Sequence, residues 1–348
     1  MDKRLQRLTE WVRHIPGFET ASPEPVSGDA SFRRYFRAWQ ERSGQPRTPC
    51  ILMDAPPEHE DCRPFVTIAR HWRQRGINVP AIVAENLEQG FLALEDFGDQ
   101  LMLAALTDDN ADTLYRQALD ELVLIAQTPD HPNQPLPPYD EALLDREMAL
   151  FPDWLLEKHL ELPLGNVERA LLETAFSVLK ESALAQPEVT VHRDYHSRNL
   201  LVLPDSDKPG VIDFQDAVRG PVTYDAVSLL KDCYLRWPDA KVQEWLEHFR
   251  TASRNAGLHR ADPDTFRQWF ELMGMQRHLK AAGIFARLAI RDGKTGFLAD
   301  IPRTVGYLRD ASARQPALRH FHEWLCDVVI PAIEQRIGVV PAPEAAQP

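Results

Sequence analysis

The segment from Glu188 to Asp213 constrains the fold more than any other part of the chain. It begins with the β-branched, apolar run EVTV, continues with the polar residues HRDYHSRN, and ends with the runs LLVLP and GVIDF around a short turn. Two apolar runs joined by a turn rich in Asp and Pro predict a β-hairpin. This hairpin would bring Asn199, just before its first strand, close to Asp213, at the end of its second strand.

The polar part of this segment carries the groups that phosphoryl transfer from ATP requires. Asp194 is a candidate catalytic base, because the reaction needs a carboxylate beside the acceptor hydroxyl. Asn199 and Asp213 offer oxygen ligands for Mg²⁺, a hard cation that takes few protein ligands and keeps several waters. The sequence therefore predicts a phosphotransferase that uses ATP and Mg²⁺.

These residues resemble the aminoglycoside phosphotransferase and choline kinase family of small-molecule kinases. HRDYHSRN resembles its catalytic loop, IDFQDA its metal-binding strand end, and GPVTYDAVSLL the acidic helix start that follows. The resemblance implies that Asp194 is the base, that Asn199 and Asp213 hold Mg²⁺, and that His192 and Asp225 support the loop. It also implies an α+β, two-lobed protein-kinase-like fold.

The spacing after Asp213 distinguishes this chain from a regulated protein kinase. Only twelve residues separate Asp213 from Asp225. An activation segment with its phosphosite needs a longer stretch of chain. We therefore expect a small-molecule acceptor. If the motif were only structural, His192 and Asp194 would be a buried polar pair, and Asp225 would cap a helix.

The sequence predicts a small β-rich nucleotide-binding lobe at residues 1–98 and a larger helical lobe at 99–338, which would hold the catalytic and substrate groups. The first lobe contains 13 Lys and Arg against 14 Asp and Glu, and the rest of the chain 26 against 38. The Pro- and Ala-rich tail at 339–348 is predicted to be disordered. After an N-terminal amphipathic helix, further helices are predicted at residues 61–76, 110–127, 139–160, 166–186, 223–236, 239–256, 263–292 and 317–337. Asp61 is the candidate N-cap of the helix at 61–76, and Gly76 is its candidate stop.

The composition also excludes several classes of protein. The chain lacks an apolar run of the roughly 20 residues needed to cross a bilayer, and it lacks a signal-peptide pattern. Its four cysteines are scattered, which disfavours disulfides and zinc sites. The net charge of −13 argues against general nucleic-acid binding. We expect a cytoplasmic monomer that binds a small sugar and neither nucleic acid nor membrane.

Two stretches of the first lobe are candidates for binding the nucleotide. The turn GDASFRRY resembles the glycine-rich loop of kinases, whose backbone amides contact phosphates, although it could equally be an ordinary hairpin turn. The stretch FLALEDFGD resembles the connector between kinase lobes, where adenine contacts apolar side chains and main chain. The candidate residues are Gly28, Asp29, Ala30, Ser31 and Phe32 in the turn, and Leu94, Glu95 and Phe97 in the connector.

The chain departs from the family at the lysine that normally contacts the α- and β-phosphates. It has no lysine between Lys3 and Lys158, and Met53 lies near the expected position. Another cation must therefore replace this lysine, unless the enzyme is impaired.

Three arginines near the turn are candidates for that replacement. Strand alternation places Arg33, Tyr35 and Arg37 on one face and Arg34 on the other. If Tyr35 lies over adenine, Arg33 points to the phosphates, and Glu58 or Glu60 could be its partner. The three arginines could also be a solvated cluster without a role.

The acceptor is indicated less directly. Lys280, Arg287 and Arg291 share one face of a predicted helix with Lys294, and this cationic stripe could meet an anionic acceptor group or simply face solvent. GDASFRRYFR, FPDWLLEKHL and HLKAAGIFARLAIRDGK resemble one branch of the family more closely. That branch comprises bacterial kinases that phosphorylate N-acetylmuramate and N-acetylglucosamine at C1 during cell-wall recycling, and the stripe could bind the lactyl carboxylate of N-acetylmuramate.

Other functions stay open at this level. Aminoglycosides and choline are cationic acceptors, which the stripe disfavours and the net acidity allows. A nucleotide-binding pseudokinase would explain the missing lysine, but it would not need Asp194. A metal-dependent hydrolase could use His192, Asp194, His196 and Asp213, but it would need neither the GDASF turn nor the connector.

Overall fold

The chain, described by a computed structural model over residues 2–26, 32–44 and 46–343, divides into two compact units. The first comprises Met1–Leu101, Asp130–Pro135 and Asn199–Asp216, and the second comprises Met102–Pro129, Leu136–Arg198 and Ala217–Pro348. The sequence predicts a single boundary near residue 98. The chain instead returns to the first unit twice, and its second return carries the hairpin with Asn199 and Asp213.

The first unit is built on an antiparallel sheet. Its strands are β1 (Glu24–Pro25), β2 (Arg34–Gln40), β3 (Thr48–Asp54), β4 (Ile82–Asn86) and β5 (Phe91–Glu95), in the spatial order β1-β2-β3-β5-β4. Met53 pairs in register with Tyr35 on one side and Leu92 on the other, and it is fully buried. The position expected for the lysine is therefore part of the apolar core.

Two helices complete this unit, α1 (Lys3–Arg13) and α2 (Cys62–Gln74). Leu8 and Val12 of α1 are buried in a core cluster shared with the sheet. The predicted N-cap of α2 is confirmed, because the Asp61 side chain accepts a hydrogen bond from the amide of Arg63. Gly76 lies just beyond the helix at φ +80°, a conformation that favours glycine.

The strands around the catalytic motif pair in two separate ribbons. β6 (Glu188–Val191) pairs with β9 (Val218–Pro221) in the second unit, whereas β7 (Leu200–Leu201) pairs with β8 (Gly210–Val211) in the first. The predicted hairpin is thus confirmed. The sequence prediction did not include β9.

The second unit is mainly helical. Its helices are α3 (Met102–Ala105), α4 (Ala111–Gln127), α5 (Glu141–Met148), α6 (Asn166–Leu184), α7 (Tyr224–Leu230), α8 (Asp239–Asn255), α9 (Pro263–Asp292), α10 (Ile301–Ala313), α11 (Arg319–Trp324) and α12 (Ile330–Arg336), with π-helical turns at Phe151–His159 and Leu325–Val329 and 3₁₀ turns at Thr295–Asp300 and Pro316–Leu318. The predictions for α4, α6, α8 and α9 agree closely. Helix α10 was not predicted, and the helix predicted at 223–236 ends at Leu230.

Helix α9 passes through the interior of this unit. All side chains from Phe270 to Lys280 are buried, and a Cβ on Gly283 would lie 2.3 Å from the backbone of Leu150, so only glycine allows this close approach. Polar side chains in such a helix need partners, since an unpaired buried charge is costly.

Two further observations concern the whole chain. Within the described ranges, no helix combines the length and hydrophobicity needed to cross a lipid bilayer. Residues 344–348 of the tail predicted to be disordered lie outside the described residues, while Val340 is buried and its amide donates to Glu334 at 3.3 Å.

Candidate active site

The hairpin of β7 and β8 brings the two candidate magnesium ligands together. The side-chain Nδ2 of Asn199 donates to Oδ2 of Asp213 at 3.4 Å, and the backbone amide of Ile212 donates to the backbone carbonyl of Asn199 at 3.1 Å. Asp213 has φ +65°, a strained conformation for a non-glycine residue that occurs mostly at functional sites. A carboxylate and a side-chain amide suit Mg²⁺, which uses one or two protein ligands together with phosphate oxygens and water. The donors present therefore fit magnesium.

Arg33 lies beside these ligands. Its Nη2 donates to Oε2 of Glu60 at 2.9 Å, and its Nη1 lies 3.6 Å from Oδ1 of Asp213. Burial lowers the pKa of Arg33, but Tyr35, Glu60 and Asp213 raise it by more, so the side chain is a permanent cation. Of the two acidic partners considered for it, Glu60 is the one in contact.

The neighbouring arginines serve other groups. Arg34 pairs with the buried Asp54, with the donor and acceptor 2.5 Å apart, and also with Asp2. Arg37 pairs with Asp96 at 2.5 Å and with Asp99 at 2.8 Å. All three arginines therefore pair with carboxylates, and among the contacts of the described residues Arg33 is the one that faces a candidate magnesium ligand, Asp213.

The glycine-rich turn is described only at its end. Gly28, Asp29, Ala30 and Ser31 lie outside the described residues, so their predicted phosphate contacts remain predictions. Phe32 is 63% exposed and its ring stacks on His59 with the centroids 4.4 Å apart. Tyr35, the residue predicted to lie over adenine, is half-buried in β2.

The connector begins at the end of β5. Leu94 is buried, and the Glu95 carboxylate pairs with Arg73 at 2.9 Å, so the side chain of Glu95 is engaged. Phe97 packs on the hairpin so closely that a Cβ on Gly210 would lie 2.5 Å from its ring. The sequence prediction assigns adenine binding to main-chain groups of Glu95 and Phe97, and that assignment remains a prediction.

The candidate catalytic loop in the second unit is fixed by Asp225. Its Oδ2 accepts the amide hydrogen of His192 at 2.6 Å, and its Oδ1 accepts that of Arg193 at 3.0 Å. Arg193 has φ +79°, so these two bonds hold a strained backbone immediately before Asp194. The Asp194 amide donates to Nδ1 of His192 at 3.2 Å. Burial raises the pKa of Asp225 to about 7, although these amides and Arg277 act in the opposite direction.

Cations surround the carboxylate of Asp194. Burial raises its pKa, but Lys280, the imidazole of His196 and Arg277 lower it by more, with a further contribution from Arg193. Burial in turn lowers the pKa of His196, so the permanent cations near Asp194 are Lys280, Arg277 and Arg193. The net effect on Asp194 is a pKa below the usual value, so it is ionised at neutral pH. An ionised carboxylate can accept a hydrogen bond or a proton from a hydroxyl group.

Two of these cations, Arg193 and Lys280, are held in turn by Glu147 of α5, a residue that the sequence did not indicate. Its Oε1 lies 2.6 Å from Nη2 of Arg193 and 3.1 Å from Nζ of Lys280, and its Oε2 accepts from the hydroxyl of Tyr139 at 2.5 Å. Burial raises the pKa of Glu147, while Lys280 and Arg193 lower it to about 2 overall. Periodicity marks Glu147 only as one of several acids on a short helix, so nothing in its local sequence distinguished it.

The predicted cationic stripe on α9 does not form one surface. Lys280 is buried, and besides Glu147 it contacts the hydroxyl of Tyr224 at 3.0 Å. Arg287 is half-buried, and Arg291 is exposed and pairs with its neighbour Asp292 at 2.8 Å. At 1.5 Å of rise per residue, about 16 Å of helix separates Lys280 from Arg291. The three side chains therefore cannot bind one small anionic group together.

A small antiparallel sheet, a larger helical unit, and an H-R-D loop followed by a hairpin with Asn and Asp define a small-molecule kinase of the protein-kinase-like fold. The chain belongs to the phosphotransferase enzyme family, whose model matches residues 22–269. The predicted fold class and family are thereby confirmed.

Relatives with high sequence similarity cover almost the entire chain. An N-acetylmuramate/N-acetylglucosamine kinase of Pseudomonas aeruginosa is 47% identical over 340 residues, which cover 94% of this chain and 97% of that protein. The protein of the same name from Pseudomonas putida is 42% identical over 341 residues, again covering 94% of this chain and 97% of the relative.

Solved structures are similar in fold at much lower identity. A choline/ethanolamine kinase family protein from Mesorhizobium loti has a TM-score of 0.59 at 14% identity and covers 92% of this chain and 99% of its own. An amicoumacin kinase in complex with AMP-PNP and Ca²⁺ has a TM-score of 0.58 at 16% identity, and the match covers 92% of this chain and 97% of that kinase. At these identities the likeness concerns the fold alone.

Proposed function

We propose that the protein is an ATP-dependent sugar 1-kinase that phosphorylates the anomeric hydroxyl of N-acetylmuramate and N-acetylglucosamine in peptidoglycan recycling. The observation that carries the proposal is the 47% identity to a kinase named for these two sugars over 94% of the chain. The alignment spans 94% of the chain and therefore includes both units. The residues that would bind the acceptor and those that would bind the nucleotide both lie within it.

The proposed roles follow from the chemistry of each side chain. Asp194, ionised and held on a fixed loop, orients the acceptor hydroxyl and accepts its proton. Asn199 and Asp213 are the residues that would hold Mg²⁺, which supplies charge neutralisation at the phosphates. Arg33 adds a protein cation to the same phosphates, and Asp225 keeps the loop in place.

We assign nucleotide binding to the lobe at residues 1–98 and acceptor binding to the lobe at 99–338. We further propose that the protein works in the cytoplasm, where ATP is available, as a monomer. Support for ATP as the phosphoryl donor comes from the family and from the motif of Asp194, Asn199 and Asp213. The contact of Arg33 with Glu60 and Asp213 argues against a pseudokinase, because it supplies the cation whose apparent loss was that alternative's only support.

The experiment is a screen for acceptor-dependent ATP consumption by the purified protein with N-acetylmuramate, N-acetylglucosamine, an aminoglycoside and choline. We expect consumption with the two sugars, dependence on added Mg²⁺, and a product whose phosphorus couples to the anomeric proton in NMR spectra. Asp194→Asn serves as the matched negative control. Consumption with choline or the aminoglycoside alone, or phosphate on C6 of the sugar, would show that the proposed acceptor or position is wrong.

A further inference from the structure

An aromatic cluster in the second unit has no role in the function described above. Phe285 of α9 stacks on Phe297 of the 3₁₀ turn, with ring centroids 5.8 Å apart and planes at 10°. Tyr234 lies 6.2 Å from Phe285. Phe285 is buried, but Tyr234 and Phe297 are only half-buried, so part of each ring faces solvent.

Arg198 lies on the exposed side of this cluster. Its guanidinium carbon is 4.6 Å from the ring centroid of Tyr234 and 5.7 Å from that of Phe297. Contacts of this kind orient a guanidinium while leaving its N–H groups available in the plane. Arg198 is exposed, and in the described part of the chain no carboxylate lies within the 4.0 Å of an ion pair with it.

The cluster adjoins the candidate base through His196. The His196 ring meets Tyr234 edge to face at 5.4 Å, and its amide donates to the Asp194 carbonyl at 3.0 Å. Arg198 follows Asp194 by four residues in the same loop. The aromatic cluster is thus linked to the loop that carries Asp194 through His196 and Arg198.

The other cations near Asp194 already have partners within the protein. Arg193 and Lys280 share the carboxylate of Glu147 at 2.6 and 3.1 Å, and Arg277 lies over the Tyr224 ring at 4.9 Å and donates to the Arg193 carbonyl at 3.3 Å. All three are buried or nearly so, whereas Arg198 is accessible. Among these cations in the described part of the chain, Arg198 thus offers an anionic group on the acceptor an exposed, oriented guanidinium.

We propose that Arg198, held on Tyr234 and Phe297, binds a carboxylate of the acceptor, and that the exposed parts of the two rings contact the apolar face of its sugar ring. The assignment rests on the proposed function, in which one acceptor carries a lactyl carboxylate and the other does not. A planar guanidinium matches a carboxylate through two parallel hydrogen bonds, and a half-exposed aromatic ring offers an apolar surface to C–H groups. Arg198 then distinguishes the two sugars, and the rings serve both.

The test compares kcat/KM for N-acetylmuramate and N-acetylglucosamine in Arg198→Gln, Tyr234→Leu and the wild type. A charge-assisted hydrogen bond corresponds to roughly a ten- to hundredfold change, so Arg198→Gln should lower kcat/KM for N-acetylmuramate by that factor through KM. The values for N-acetylglucosamine and the KM for ATP should change less than about twofold. Arg198→Lys should recover part of the loss, and Tyr234→Leu should raise KM for both sugars.

Arg291→Gln is the matched control, because Arg291 is an exposed arginine already paired with Asp292, and it should leave both sugars unaffected. Equal loss for the two sugars in Arg198→Gln, or no loss for either, overturns the assignment while the kinase function stands. If the wild type phosphorylates neither sugar, the proposed function fails and the assignment fails with it. A circular dichroism spectrum and melting temperature of each variant separate these outcomes from misfolding.

Discussion

The guanidinium of Arg33 donates to the carboxylate of Glu60 at 2.9 Å, in a chain that has no lysine between Lys3 and Lys158 and has Met53 near the position expected for the phosphate-binding lysine of the family. We propose that Arg33 and Glu60 replace the lysine–glutamate pair that is expected for the family. Arg33 precedes β2 and Glu60 precedes α2, and Nη1 of Arg33 lies 3.6 Å from Oδ1 of Asp213. In this proposal the cationic charge is retained although its position in the chain differs.

Arg33→Ala should therefore impair phosphoryl transfer. Loss of one preorganised donor to the transition state typically lowers turnover by about 10²–10³-fold, and we expect kcat/KM for ATP to fall by at least about 10²-fold. Arg33→Lys should recover only part of the loss, because lysine is a point charge without a planar fork. Steady-state kinetics with saturating sugar give the comparison.

Two further variants accompany Arg33→Ala. Glu60→Gln removes the partner of Arg33, and Arg63→Ala is the control. Glu60→Gln should weaken ATP binding less than Arg33→Ala, because it leaves the cation in place and removes only its partner. Arg63 pairs with Asp61 on the surface, so Arg63→Ala should behave as the wild type. Unchanged kinetics in Arg33→Ala would transfer the role away from Arg33, and Mg²⁺ with backbone amides would then have to suffice.

Much of the site could be predicted because its signals are local. The hairpin that joins Asn199 to Asp213 follows from two apolar runs and a turn, and the cap at Asp61 follows from a polar residue before an apolar periodic run. Such features depend on neighbouring residues, so a single sequence contains what is needed. Strand alternation predicted that Arg33 and Arg34 point to different groups; Arg33 precedes β2 and contacts Glu60, whereas Arg34 begins β2 and contacts Asp54.

The features that the sequence could not show depend on long-range packing. The stripe of Lys280, Arg287 and Arg291 is correct as a helical projection, but a projection cannot show that the middle of α9 is surrounded by other helices. Glu147 is 133 positions away from Lys280 in the sequence, and only the tertiary fold pairs them. A helix that is apolar all round is a signal of burial, but the charged residues distributed along α9 obscure that signal.

The assignment of Asp194 as the base predicts a separation of chemistry from binding. Asp194→Asn keeps the size of the side chain but removes the charge, so turnover should fall by about 10²–10⁴-fold, the usual contribution of a general base. Binding of ATP with Mg²⁺, measured by calorimetry, should persist within severalfold. A variant with ordinary turnover would remove Asp194 from the mechanism.

The assignment of Asn199 and Asp213 predicts the opposite pattern. Asn199→Ala and Asp213→Ala should each raise the Mg²⁺ concentration needed for half-maximal activity and weaken magnesium-dependent nucleotide binding, since each removes an oxygen ligand. Nucleotide binding without the metal should change little. If either variant showed the wild-type magnesium requirement, that residue would not be a ligand. Asp205→Ala, in the exposed turn of the same hairpin, is the matched control.

The cations around Asp194 predict a change in pH dependence. Asp194 acts when ionised, so activity rises with pH through its pKa, and the surrounding cations place that pKa below the usual value. Lys280→Met removes the cation that lowers the pKa of Asp194 most. The pKa of Asp194 should therefore rise, and the acidic limb of the kcat/KM profile, which reports the free enzyme, should move to higher pH.

The double variant Glu147→Gln/Lys280→Met makes this prediction specific to charge. In Lys280→Met alone, Glu147 keeps only Arg193 as its cationic partner, and a buried carboxylate with fewer partners is costly. In the double variant, Arg193 is no longer neutralised by Glu147, and its attraction for the ionised Asp194 increases. The acidic limb should accordingly lie between those of the wild type and the single variant, with Arg291→Met unchanged as the control on the same helix. Identical limbs in all four proteins would mean that Lys280 acts on folding alone, which the melting temperatures of the same samples would record as a loss of stability.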